Sequence, residues 1–203
     1  STAGSATITN TSRVNFLGHA DGGNAKLING AGAIVDFSQS IGVAGDGKLS
    51  IGQLTGEGRI FLGSNTLTIG GGADATELWS VIADGGNAGG AGASLIKAGS
   101  DTLILRGRNG YTGSTTVRGG TLQAGVADAL SASSALNVES AGTFSIGGYD
   151  VAVSALSGAG LVTNTDGALR TLTVDGAHNS TISGRLADSP SAGLSLTKRG
   201  SGT

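Results

Sequence analysis

His19 and His178 are the side chains best suited to general-base work. His19 has Asp21 two residues on, and His178 lies between Asp175 and Ser180. A hydrolytic triad needs nucleophile, base and orienting acid within mutual hydrogen-bond reach. No Gly-x-Ser-x-Gly precedes a strand-to-helix turn, so neither histidine has a nucleophile elbow beside it. Both read as surface-loop residues. Gly70-Gly-Gly-Ala-Asp74 has part of the calcium-binding nonapeptide wording, but those sites need tandem copies so that successive turns supply ligands. The chain has no tandem copy, and a plain glycine turn is expected. Neither Gly-x-x-x-x-Gly-Lys-Ser/Thr nor Gly-x-Gly-x-x-Gly occurs, which removes the phosphate-cradling loops. Arg106, Arg108 and Arg118 fall close together after Lys97 and Asp101, a grouping able to hold an anionic glycan. As a solvated face, the same residues would discourage edge pairing. Paired carboxylates on neighbouring segments, required for acid and base roles on a polysaccharide, are not apparent. Asn10-Thr-Ser12 and Asn179-Ser-Thr181 matter only in a host that glycosylates asparagine, and no Arg-Gly-Asp occurs. No catalytic, cofactor-binding or metal-binding residue is assigned, and a non-enzyme is expected.

The elements that would position these side chains are short strands. Leu103 and Leu105, then Thr115 and Val117, then Leu122 and Ala124 alternate with polar residues between glycine-containing turns, which is strand periodicity. Glycine is the compositional outlier at 39 of 203 residues, with one proline and no cysteine. At 38% hydrophobic and 13% charged, the chain is too apolar for a disordered tail. Glycine follows no strict period of three, which excludes collagen. Seven aromatic residues (four Phe, two Tyr, one Trp) suit a thin core of Leu, Ile, Val and Ala. A net charge of −2 provides no basic field for nucleic acid. Without cysteine there is no disulfide scaffold. No signal peptide opens the chain, and no apolar run approaches the ~20 residues of a membrane-spanning helix.

Repetition appears at two scales. Ala6-Thr-Ile-Thr-Asn10 aligns with Ala25-Lys-Leu-Ile-Asn29 at an offset of 19, and Val14-Asn-Phe16 with Val35-Asp-Phe37 at 21. Lys26-Leu27 and Lys48-Leu49 suggest a further offset of 22. That spacing predicts coils of three strands and three turns. Asn10 and Asn29 would form a ladder, and Phe16 and Phe37 would stack inside. Over a longer range, Leu54-Thr-Gly-Glu-Gly58 matches Leu156-Ser-Gly-Ala-Gly160, and Thr66-Leu-Thr-Ile69 matches Thr171-Leu-Thr-Val174. Ile82-Ala-Asp84 then matches Leu186-Ala-Asp188, and Lys97 matches Lys198. These offsets, 101 to 105, predict a module of about five coils. Stacking buries inner faces that no coil buries alone. The expectation is an all-β, parallel β-helix of about ten coils, continuous over 1–203. It would be on the order of 45–50 Å long at the ~4.8 Å spacing of neighbouring strands. No helix is expected. Residues 127–134 read as a loop or single turn, Gly85 to Gly92 as an extruded loop, and Pro190 as part of the corresponding loop of the next unit.

The stretch 95–125 is the most specific. Lys97-Ala-Gly99, Thr102-Leu-Ile-Leu105, Gly107-x-Asn109-x-Tyr111-x-Gly113, Thr115-Thr-Val117 and Gly120-Thr-Leu122 resemble the passenger-associated transport repeat of bacterial autotransporters. Asp101 departs from that pattern, which favours glycine there. Residues 195–203 begin a second copy: Ser195-Leu-Thr-Lys-Arg-Gly-Ser-Gly-Thr203 shares six of nine positions with Ser94 to Thr102, and Gly202 restores the glycine. Because that copy stops mid-unit, a longer parent protein is expected.

The resemblance implies a single-stranded right-handed parallel β-helix of a type V secretion protein, carried outside a Gram-negative outer membrane or released from it. It implies a parent with a signal peptide upstream and its own C-terminal outer-membrane β-barrel downstream, and a repeat that assists passenger folding and export. The reading that follows is a non-catalytic passenger scaffold that mediates adhesion to a host-cell or surface ligand, with self-association between passengers as a further partner. The stalk of a secreted protease whose catalytic domain lies elsewhere is the alternative. A β-helix polysaccharide-active enzyme is disfavoured by the carboxylate distribution.

Overall fold

A computed structural model describes residues 1–70, 72, 75–190 and 192–203. Among the described residues there are 23 strands and no helix. The strands pair in parallel and stack as a solenoid. A nine-stranded sheet runs from Thr7–Asn10 through Thr102–Leu105 to Arg185–Ala187 and supplies one strand to each turn. There are therefore nine turns, against about ten expected. The difference lies in turn length. The pairing register advances by only 18 residues from Thr143 to Leu161 but by 27 from Lys26 to Gln53 and again from Thr76 to Leu103.

A second side is a seven-stranded sheet from Lys48–Ile51 to Thr181–Ile182. The third side is discontinuous. Turns 1–4 contribute Arg13–Asn15, Ile34–Asp36, Arg59–Phe61 and Val81–Ala83. Turns 7–9 contribute Val151–Val153, Arg170–Asp175 and Leu194–Arg199, a separate sheet whose first two strands lead into the seven-stranded one. Turns 5 and 6 have no strand there.

Alternation along each strand sends every second residue inward, and stacking aligns these residues in columns. Leu49, Leu67 and Leu95 form one column and Ile51 and Ile69 its neighbour, all buried. Leu103, Leu122, Phe144 and Val162 form another in the nine-stranded sheet. Each such side chain contributes about 1.5–3 kcal/mol when removed from water, so the stabilisation is spread along the solenoid.

The short-range repeats at offsets 19 and 21 coincide with real register, since Thr7 pairs with Lys26 and Val14 with Val35. Asn10 Nδ2 donates to Asn29 Oδ1 at 2.9 Å, which makes the ladder, and Phe16 stacks on Phe37 with centroids 4.3 Å apart. The offset of 22 is not a register. Lys26 pairs with Gln53, whereas Lys48 pairs with Thr66 in a different sheet. The long-range offset is also not five turns. Leu54 lies in the nine-stranded sheet in turn 3 and Leu156 in the seven-stranded sheet in turn 7, four turns and two further sides away.

Candidate functional site

The column Ile51, Ile69, Lys97, Val117, Val138 holds one cation among aliphatic residues. Lys97 faces inward because it lies two residues after Leu95 on one strand, Ser94–Lys97, and it is completely buried. Its Nζ donates to the Ala98 carbonyl at 2.5 Å and to Asp101 Oδ1 at 2.9 Å, with Gly99 O at 3.5 Å. The ammonium thus closes the corner between two sheets and is neutralised within it by a carboxylate only 7% exposed. A buried charge is tolerated only when paired and hydrogen-bonded. Gly99 turns at φ +75°, and Gly120, one turn on at φ +62°, leaves room for this corner. A Cβ on Gly120 would meet Asp101 O at 2.3 Å. Asp101, the departure from the repeat pattern, is therefore the counter-ion of Lys97.

The next segment closes the side that lacks strands. Asn109 Oδ1 accepts from the Ile82 amide at 2.7 Å, and its Nδ2 donates to Ala129 O at 2.7 Å, tying turn 5 to turns 4 and 6. The Gly110 amide donates to Ile82 O, and the Asn109 amide to Asp128 O. Tyr111 fills the interior with no exposed surface. Its hydroxyl lies 2.6 Å from Thr115 Oγ1, which lies 3.0 Å from Ser134 Oγ. Burial pushes the phenol far above its ordinary value, and the Thr115 contact offsets this only in part. Gly113 admits the backbone of turn 4, where a Cβ would meet Gly92 O at 2.4 Å.

Residues 84–93 do not simply protrude. The Asn87 amide donates to Asp36 Oδ2 at 2.8 Å, and the Ala88 amide to Ser38 Oγ at 3.0 Å, so the loop folds back over turn 2. Arg13 of turn 1 reaches both Asp36 and Asn87. The loop was expected to be extruded for lack of packing side chains, but its backbone amides are what dock it. Burial alone would raise the Asp36 carboxyl. Hydrogen bonds from the Ser38 side chain, from the Asn87 and Ser38 amides and from Arg13 outweigh burial and hold it below its usual value. The loop's far end is gathered by Asp84, which accepts from the Gly92, Ala93 and Thr112 amides and from Thr112 Oγ1.

The residues flagged for chemistry are not gathered into one place. His19 Nδ1 lies 3.0 Å from Gly42 O, whereas the Asp21 carboxylate is taken by Ser50 and the Gly23 amide. His178 is exposed, and Ser180 Oγ accepts from the Leu156 amide. Of Gly70 to Asp74, residues 71, 73 and 74 lie outside the described residues, so the turn expected there is not seen in full. The three arginines each meet an acid on an adjacent turn: Arg106 with Glu77 of the preceding turn at 2.7 Å, and Arg108 with Asp128 at 3.2 Å and Arg118 with Glu139 at 3.7 Å on the following one. The hydrogen bond from Arg106 holds the Glu77 carboxyl below its usual value against the opposing effect of burial. The arginines are a balanced surface and not an anion cradle. Among the described residues no three His, Cys, Asp or Glu converge as a metal site, and no helix is long and apolar enough to cross a membrane. A shallow depression of about 520 Å³ lies at a glycine-lined corner beside Ser140, Gly160, Gly184 and Arg185.

Two comparisons bear on this geometry. Residues 95–124, the stretch that carries Lys97, Asn109 and Tyr111, match the passenger-associated-transport-repeat family. The adhesin BmaC autotransporter of Brucella suis biovar 1 (strain 1330) is 37% identical over 116 residues, covering 55% of this chain. The chain spans only 3% of that relative's length. No solved structure matches. Together with the all-β parallel solenoid, these findings show a likeness to autotransporter passenger segments, carried by residues 95–124 and by the matched 55% of the chain.

Proposed function

We propose that this chain is a non-catalytic passenger scaffold whose transport repeat assists folding during export and whose sides contribute to adhesion. The observation that carries the reading is the repeat turn itself. Its motif side chains are spent on continuity: Lys97 and Asp101 close one corner, and Asn109 and Tyr111 bridge the side where strands are absent. A turn built this way offers its successor a finished edge of unpaired N–H and C=O groups. Turn-by-turn addition outside the membrane would then oppose backsliding of the chain. The likeness to an adhesin supports the adhesion half of the reading.

The test places the 203-residue chain between a Sec signal and an outer-membrane barrel. Surface yield and attachment to cultured epithelial cells are then measured. Deletion of 95–124 should lower surface yield, and the intact chain should raise attachment above that of cells displaying an unrelated β-helix of equal length. Unchanged yield sinks the export role, and equal attachment sinks the adhesive one.

A further inference from the structure

Trp79, the chain's single tryptophan, is the least expected side chain on the surface, with 51% of its area open to solvent. It follows the strand Thr76–Leu78, an interior strand of the nine-stranded sheet. The register that pairs Gly56 with Leu78 and Leu78 with Leu105 sets Glu57, Trp79 and Arg106 in one outward column on turns 3, 4 and 5. The indole is held from two directions. The Arg106 guanidinium lies over one part of the ring, 5.1 Å from its centroid, and is itself fixed by Glu77. The Glu77 carboxyl, lowered chiefly by Arg106, is also lowered by the neighbouring Trp79 indole. Gly125, the next residue of the column, leaves Arg106 its path, since a Cβ there would meet Arg106 Cγ at 2.8 Å. A half-exposed indole locked in this way has already lost its rotamer freedom, a cost that an unrestrained ring would meet on binding.

Glu57 stands one strand spacing, ~4.8 Å, from Trp79 on the side away from Arg106. It is exposed and, among the described residues, has no ion pair or side-chain hydrogen bond, unlike Glu77. An open aromatic surface beside a free carboxylate matches a sugar ring, whose C–H face stacks on the indole while adjacent hydroxyls donate to the carboxylate. Amphipathic rings of this kind suit ligands with one apolar and one polar face. The charge balance decides which sugars fit. Arg106 is neutralised by Glu77, so Glu57 leaves the patch negative and disfavours anionic glycans. We propose that Trp79 and Glu57 form a subsite for one pyranose ring of a neutral glycan. The inference rests on the adhesive reading for its biological use and names the ligand chemistry.

Because Trp79 is the only tryptophan, its fluorescence reports on this place alone. The 203-residue chain is titrated with mannohexaose, cellohexaose and a galactan-derived tetraose, and in parallel with heparin and with choline. The expected result is a saturable change with at least one neutral oligosaccharide, at millimolar Kd, and none with heparin. Glu57→Gln, at an exposed position without partners to lose, should weaken the interaction about tenfold, the size expected for a hydrogen bond to a charged acceptor. Trp79→Ala, with its fold checked by circular dichroism, should abolish saturation-transfer NMR signals from the sugar. Three results would each overturn the subsite: no saturable change with any neutral sugar, binding of choline in their place, or sugar binding indifferent to both substitutions. Epithelial attachment that persists with Trp79→Ala would overturn the glycan inference and leave the adhesive reading intact.

Discussion

Residues 53–97 and 155–199 pass through six strands in the same order, yet each strand of the second set lies two sides further round the solenoid. Gln53–Gly56 belongs to the nine-stranded sheet and its counterpart Ala155–Gly158 to the seven-stranded one. Arg59–Phe61 lies on the third side, whereas Leu161–Thr163 lies in the nine-stranded sheet. The corners travel with the sequence: Gly56 and Gly158 adopt φ +103° and +113°. Asp84 caps the Ala93 amide as Asp188 caps the Leu194 amide. Lys97 and Lys198 both turn Nζ onto the two carbonyls that follow them. A segment therefore dictates its strand and its corner, while the side it occupies depends on the residues accumulated before it. The two sets also differ in depth. Leu95 is wholly buried, whereas its counterpart Leu196, in the ninth turn, is 45% exposed.

The sharpest way to break this comparison is at the two lysines. Lys97→Met leaves the buried Asp101 carboxylate without its cation and should cost about 3–5 kcal/mol, the usual penalty for halving a buried pair. Lys198→Met should leave the urea midpoint unchanged, because that side chain is exposed and has glycine at 202 where the first copy has Asp101. Lys97→Met combined with Asp101→Gly should recover much of the loss. Equal effects at the two lysines would refute the distinction. Next in size is Asn109→Ala, which orphans the Ile82 amide and the Ala129 carbonyl. At about 1–3 kcal/mol for each buried group left unsatisfied, the loss should fall at about 2–6 kcal/mol. Asn179→Ala, whose side chain meets only the Thr203 amide at an exposed position, should be silent in the same urea titration.

The difference between these positions also marks what could be read beforehand. Period-two alternation identified the strands, and the paired offsets at Asn10/Asn29 and Phe16/Phe37 found true register, because a stacked coil places like beside like. The number of turns was less legible, because insertions within turns change their length without disturbing a strand. Sides were less legible still. The match of Leu54 with Leu156 is real as a strand and misleading as an address. Lys97 was visible as part of the transport repeat but was grouped with the surface arginines, and its inward place, two residues after Leu95, is seen only in the structure. The need for a counter-ion at Asp101 emerges only when the corner closes over both. Asp36 gave no signal at all, since its docking partner lies 51 residues away.

A smaller effect tests whether the two glycine corners are one device. A side chain at Gly56 would meet Asn29 O at 2.0 Å, and one at Gly158 would meet Val138 O at 2.0 Å, both from a left-handed backbone. Alanine at either should destabilise by more than about 1 kcal/mol, the two losses agreeing within error. Unequal losses would mean that the sheet, and not the local corner, sets the strain.

The smallest effect separates the two loops. Residues 84–93 dock on Asp36, whereas in the second set Ser189 and Ala192 bridge each other and Asp188 accepts from the Leu194 amide. The Asp36 carboxyl is held below its ordinary value in the folded chain, so the stabilisation it provides is present above the unfolded value of about 3.9. It is lost as pH falls through the lower, folded value. As pH falls from about 4 to about 2 the Asn87 and Ala88 amides should gain exchange rate beyond the intrinsic pH dependence, while the Leu194 amide should not follow them to the same extent. Asp36→Asn keeps the shape but removes the charge that Arg13 and the Asn87 amide address. It should raise Asn87 exchange at pH 7 and flatten its acid response. An acid response that survives Asp36→Asn would show that some other carboxylate governs the loop, and the proposed clamp across turns 1, 2 and 4 would fail.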